Sequence, residues 1–273
     1  MEHEHEPTRV DQIPLEVPIL PLRNAVLYPF SVMPLIVGIK RSKKLVEDAA
    51  KEDRIIGIVT TRDSSVSEPK PGETYEIGTT AKIEHIARMN DGNLEVLVRG
   101  LDRFHVDHWL ETEPYLNAHI ELQIEMVDKD LEMEALAHTV RTLSNDVFRL
   151  SKKLPKEVGM FLNQVQDPVT LVYLVAHSVG MEVEKAQAIL EETDVKKKFH
   201  LLISHLSHEK EILSLGEKIQ TQAREGMDKA HREYYLRQQL KAIKEELGET
   251  PDETPIEDEY REKIEKAGLP EEA

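Results

Sequence analysis

The chain has no cysteine, which excludes disulfides, thiolate zinc sites and cysteine nucleophiles. Positive charge is also scarce: 35 Lys and Arg face 52 Asp and Glu, a formal charge of −17. That balance opposes binding to a nucleic-acid backbone or an anionic membrane surface, where clustered cations supply the attraction. No apolar run approaches the ~18 residues that a bilayer span requires. The first six residues, MEHEHE, are acidic and lack the apolar centre of a secretory signal. The glycine-rich phosphate loop G-x-x-x-x-G-K-[ST], the G-x-G-x-x-G turn and the G-x-S-x-G nucleophile turn are all missing. These gaps predict a soluble cytoplasmic protein with no cofactor of its own. With 40% hydrophobic residues, its 273 residues can form packed cores, and that length suits about two domains.

What is present divides by period. Short apolar runs at 17–22, 34–37 and 55–61 are separated by Pro and Gly, as in a β-rich region. The clearest unit is a hairpin over 79–89 and 93–99 around Asn90-Asp91-Gly92, with Leu94, Val96 and Val98 on one strand face. One helix interrupts the strands, with Ser42 as its predicted N-cap and Leu45, Val46 and Ala49 inward. Residues 62–74 read as a polar loop.

From about residue 128 the period becomes helical. Leu136, Val140, Leu143, Val147 and Leu150 make one stripe. Pro155 stops that helix, and Val158, Phe161, Leu162 and Val165 begin another. Asp167-Pro168 reads as a cap and first helical residue, Gly180 ends that helix, and 182–192 form a further one. From Asp194, a predicted N-cap, no proline occurs before Leu247, which would make a helix of about 80 Å if unbroken. Val195, Phe199, Leu202 and Leu206 can dock it on the bundle, while Leu236, Leu240, Ile243 and Leu247 have coiled-coil spacing. Gly216 and Gly226 mark a predicted bend. Beyond Gly248 acids dominate, and 256–267 reads as one short helix in a linker.

Few residues point to chemistry. His205, His208 and Glu209 would share a helix face, but they do not form H-E-x-x-H, and a solvated helix face is the simpler reading. His105 and His108 are three apart in a predicted strand and point to opposite faces, so no metal site is expected. Tyr28, Pro29, Phe30, Met33 and Pro34, with Met89 beside the hairpin turn, have two readings. They either complete the β-rich core or present an adaptable apolar surface to extended polypeptide. The helix segment with Tyr234, Tyr235, Leu236, Leu240, Ile243 and Leu247 is the candidate for pairing between subunits.

Two segments together resemble one family. The run Val17-Pro18-Ile19-Leu20-Pro21-Leu22-Arg23-Asn24-Ala25-Val26-Leu27-Tyr28-Pro29, followed by Pro34-Leu35-Ile36-Val37-Gly38, is similar to the start of the Lon ATP-dependent proteases. The run Arg232-Glu233-Tyr234-Tyr235-Leu236-Arg237-Gln238-Gln239-Leu240-Lys241-Ala242-Ile243-Lys244-Glu245-Glu246-Leu247-Gly248 resembles the block at the end of their long helix. The resemblance implies an α+β protein: a β-rich subdomain like those associated with pseudouridine synthases (PUA-like), a helical bundle and one very long projecting helix. The corresponding divisions are a disordered 1–14, a substrate-binding subdomain 15–126, a bundle 127–193, a coiled-coil-like helix 194–248 and an acidic linker 249–273. The implied role is recognition of unfolded or damaged proteins and assembly of a hexamer. ATP, Mg²⁺ and the Ser–Lys peptidase dyad belong to modules that such proteases carry beyond this region, so this chain alone is not expected to be an enzyme. A stand-alone coiled-coil scaffold with a β-rich partner-binding head is the alternative. RNA binding rests on fold analogy alone and is opposed by the charge.

Overall fold

The computed structural model describes residues 13–51, 54–128, 130–151 and 156–247. The acidic residues 1–6, the stop at Pro155 and the linker with its helix over 256–267 lie outside the described residues. The chain forms two compact units, one ending at Ser214 and the other beginning at Leu215.

The first unit combines a sheet with helices. Its strands are β1 (Glu16–Leu22), β2 (Val32–Val37), β3 (Ile55–Thr60), β4 (Ile77–Arg88), β5 (Leu94–Trp109) and β6 (Asn117–Leu122), with α1 (Lys40–Ala49) between β2 and β3. The order is β2-β5-β4-β3-β1-β6, and β5 also pairs with β6, so five strands close into a ring. β1 and β3 run parallel, a pairing that needs a crossover rather than a tight turn. The long β5 serves two neighbours along one side: Leu94 to Arg99 pair with β2, and Phe104 to Trp109 pair with β6. β2 therefore lies outside the ring as an edge strand.

Local sequence explains the turns. Met89 N–H donates to the Asn93 carbonyl at 2.9 Å, and Gly92 takes the positive φ of 79° that a side chain would resist. The expected hairpin is present with longer strands, because β5 continues past the alternating segment to meet β6. Leu94, Val96 and Val98 are buried as expected, as are Leu45, Val46 and Ala49 of α1. The predicted cap is corrected: α1 begins at Lys40 after Ile39, with Ser42 already inside the helix.

The helices of the first unit are α2 (Leu131–Ser151), α3 (Lys156–Gln164), α4 (Pro168–Val179), α5 (Val183–Glu191) and the start of α6 (Val195–Glu246). Asp167 caps α4 by accepting the Thr170 N–H at 2.8 Å, with Pro168 in the first turn. Asp194 accepts the Lys196 N–H at 2.9 Å at the start of α6. Met133, Leu136, Val140 and Val147 of α2 share a core with Leu171, Val172 and Val175 of α4 and with Phe199, Leu202 and Leu206 of α6. Phe161 was expected inward but is exposed. The short α3 buries Leu162, and its neighbour lies about 100° further round the helix.

Val26 and Tyr28, from the strand-rich part, belong to the same core as the bundle helices. The sheet and the bundle are thus joined by shared packing. Among the described residues no helix is long and apolar enough to cross a membrane.

Candidate functional site

The proline-rich segment before β2 resolves into an inside and an outside. Tyr28 is buried, its hydroxyl donates to the Ala186 carbonyl at 2.9 Å, and its ring lies 5.6 Å from that of Tyr173. Burial raises the Tyr28 hydroxyl well above its ordinary value. Pro29 is buried as well. The expectation that Tyr28 and Pro29 face a substrate is therefore corrected: the bundle supplies the apolar partners that local sequence cannot reveal.

The chain then reverses. Ser31 N–H and Ser31 Oγ both donate to the Tyr28 carbonyl, and Phe30 N–H donates to the Gly100 carbonyl at 3.0 Å. Gly100 permits this approach, because a Cβ there would lie 2.2 Å from the Tyr28 carbonyl oxygen. Phe30 itself sits at φ 64° with its side chain 45% exposed. A bulky residue in the left-handed region is strained by order of 1 kcal/mol or more, a feature that clusters at binding sites.

β2 continues the outside surface. Leu35 and Val37 are buried and Met33 packs partly against the same core, while Val32, Pro34 and Ile36 alternate outward, Ile36 being 71% exposed. Pro34 is compatible with this place because an edge strand can spare an N–H. Val37 pairs with Leu94 and Val32 with Arg99, so Met89, beside the hairpin turn, lies near the far end of β2 from Phe30. Six strand residues separate those ends, about 20 Å. Phe30, Pro34 and Met89 are exposed as a binding surface requires, but Met89 is not gathered with the others. Val32 and Ile36 join the strip and were not singled out from sequence, although their alternation with Leu35 and Val37 carried the signal.

A second constellation lies where the sheet meets the bundle. The Glu125 carboxylate accepts from the Tyr173 hydroxyl at 2.8 Å, contacts the Lys198 ammonium and lies 3.7 Å from Arg103 Nε. The Lys198 ammonium also meets the Tyr173 hydroxyl. Arg103 Nη1 reaches the carbonyls of Leu190, Glu191 and Glu192 at 3.0, 3.3 and 2.9 Å. A cation there satisfies the orphan carbonyls at the end of α5. Lys198 is fully buried, and desolvation lowers its ammonium to about 8, against the pull of Glu125. Desolvation and the Glu125 charge push the Tyr173 hydroxyl upward. The arrangement holds charge in place and offers no cavity for a substrate.

In the second unit Tyr234, Tyr235, Leu236, Leu240, Ile243 and Leu247 are all exposed. His205, His208 and Glu209 do not converge on a common point among the described residues, whereas Asp107, His108 and His119 do.

Comparison with known proteins identifies the family. The family described as "ATP-dependent protease La (LON) substrate-binding domain" matches residues 16–208. The chain belongs to this family. It is 38% identical to "Lon protease 2" of Myxococcus xanthus over 261 residues, 95% of this chain and 32% of that protein. It is also 38% identical to the Lon protease of Dictyoglomus thermophilum over 271 residues, 99% of this chain and 34% of the relative. The chain thus spans about a third of the length of the curated relatives it matches. The fold is similar to the solved amino-terminal domain of a Mycobacterium avium complex Lon protease. That match has a TM-score of 0.59 and 18% identity, covering 70% of this chain and 98% of that one.

Proposed function

We propose that this chain is the substrate-recognition and assembly region of a cytoplasmic ATP-dependent Lon protease that removes misfolded, damaged and regulatory proteins. It binds exposed apolar segments of unfolded polypeptide and passes them to an ATPase ring. The single observation that carries this reading is the family match over residues 16–208. The strip of Phe30, Val32, Pro34 and Ile36 supports it, since apolar side chains on an edge strand suit extended chains of varied sequence. Binding of ATP and Mg²⁺ and cleavage by a Ser–Lys dyad belong, in this reading, to other modules of the whole protein. The PUA-like character of the sheet region and the divisions near residues 126, 193 and 248 belong to the same reading.

Assembly is assigned to α6. Its exposed seam of Leu236, Leu240, Ile243 and Leu247 has the spacing of a coiled coil, and pairing of such seams would contribute to a hexamer. About two heptads bind weakly alone, so the ring would supply avidity. The scaffold alternative predicts the same seam but a single fixed partner.

Fluorescence anisotropy of a labelled, permanently unfolded protein titrated with the chain tests the recognition role, with the folded form as control. Saturable binding to the unfolded form that weakens in Ile36→Asp is the expected result. Equal binding of folded and unfolded forms, or no effect of Ile36→Asp, would refute recognition through this strip.

A further inference from the structure

We propose that Asp107, His108 and His119 form a binding site for a divalent transition metal of the zinc type on the outer surface of β5 and β6. Nothing in the recognition or assembly roles uses these residues.

The site is made by a bulge. Val106 pairs with Ile120 and His108 with His119, so Asp107 is an extra residue of β5 with no counterpart on β6. In a regular strand Asp107 and His108 would point to opposite faces. An extra residue bends the strand and re-aims side chains, and here it brings both side chains to His119. His108 Nδ1 lies 2.7 Å and His119 Nδ1 3.4 Å from the same Asp107 oxygen, Oδ2. The two imidazoles are stacked, with centroids 5.0 Å apart and planes 13° from parallel.

Three observations favour a metal over a plain ion pair. First, the donors are two imidazole nitrogens and one carboxylate oxygen within 4.8 Å of one another, the one such trio among the described residues. Two imidazoles and a carboxylate are a zinc donor set that leaves a fourth position for water. Second, His119 Nδ1 is shielded from solvent and has no hydrogen-bond partner among the described residues. A buried nitrogen left unpaired is costly, and a cation between it and Asp107 would satisfy it. Third, the spacing is close to that required. Bonds of about 2.0–2.1 Å at tetrahedral angles separate two ligand atoms by about 3.3 Å. The His119–Asp107 distance of 3.4 Å already matches, and the His108–Asp107 contact of 2.7 Å needs to open by a few tenths of an ångström. The side chains of Asp107, His108 and His119 are 44%, 57% and 30% exposed, so an ion can enter without unfolding.

The test is calorimetric titration of the whole chain with Zn²⁺ near neutral pH, followed by Co²⁺, whose visible absorption reports coordination geometry. His3 and His5 are replaced by Ala throughout, because that amino-terminal pair is a competing chelator in sequence. One ion bound per chain is expected, with affinity falling at least about tenfold in His108→Ala and in His119→Ala, as loss of a direct ligand should exceed loss of an outer-sphere partner. Asp107→Asn keeps the side-chain shape, and it is expected to weaken binding with an unchanged melting temperature, which serves if a histidine variant fails to fold. Saturation with zinc that is unaltered in His119→Ala and Asp107→Asn would overturn the assignment. So would absence of saturable binding at micromolar Zn²⁺.

Discussion

The junction between sheet and bundle and the outer side of β2 invert the usual distribution of residues. At the junction, Arg103, Glu125 and Lys198 are buried with Tyr173, although charged side chains are almost never fully buried unless paired. On β2, Val32 and Ile36 face solvent, although β-branched residues of an edge strand ordinarily pack inward. The difference separates two uses of free energy. Buried charge fixes how two elements meet, because only one geometry satisfies every partner. Exposed apolar surface leaves a partner free to vary, because dispersion and desolvation demand no particular geometry.

Four experiments would break or sharpen that contrast. Glu125→Ala leaves two cations buried without their carboxylate and should destabilise the first unit by about 3–5 kcal/mol. Chemical denaturation measures this, and a loss below about 1 kcal/mol would mean that the junction is not dry. The second is a pH series of thermal melts. Lys198 titrates near 8 when folded but near its ordinary 10.5 when unfolded. The unfolded state therefore holds more protons between these values, and stability rises with pH from about 8 toward 10. Above about 10 the raised hydroxyls of Tyr28 and Tyr173 reverse the slope, since the unfolded tyrosines ionise first. Lys198→Met should abolish the rise and keep the fall.

Smaller effects are expected further out. Tyr28→Phe removes the donor to the Ala186 carbonyl and should cost about 1–3 kcal/mol, seen as a lower denaturation midpoint at unchanged slope. Phe30→Gly should leave stability the same or raise it by up to about 1 kcal/mol, because glycine accepts the φ of 64° without strain. The same variant should weaken capture of an unfolded polypeptide in the anisotropy titration. Full binding by Phe30→Gly would separate the strained turn from recognition and restrict the apolar strip to β2.

Much of the local structure was legible in advance because it depends on neighbours in sequence. The alternation of Leu94, Val96 and Val98, the Asp91-Gly92 turn, the Asp167-Pro168 cap and the stripe of Val195, Phe199, Leu202 and Leu206 all carried their own instructions. The candidate surface was legible only in part. Phe30, Pro34 and Met89 are outside, but Tyr28 and Pro29 are covered by partners elsewhere in the chain, Ala186 among them, 158 residues from Tyr28.

Sequence by itself determined the order of strands and helices, the family and the acidic balance, since composition, period and motif are properties of short stretches. Tertiary structure alone decided the closure of the ring through β6, the burial of Arg103, Glu125 and Lys198, and the bulge that joins Asp107 and His108 to His119. A charged residue reads as surface until its counter-charge is placed. A strand's faces can be assigned by alternation only until an extra residue breaks it. Both depend on partners distant in sequence, which no local pattern records.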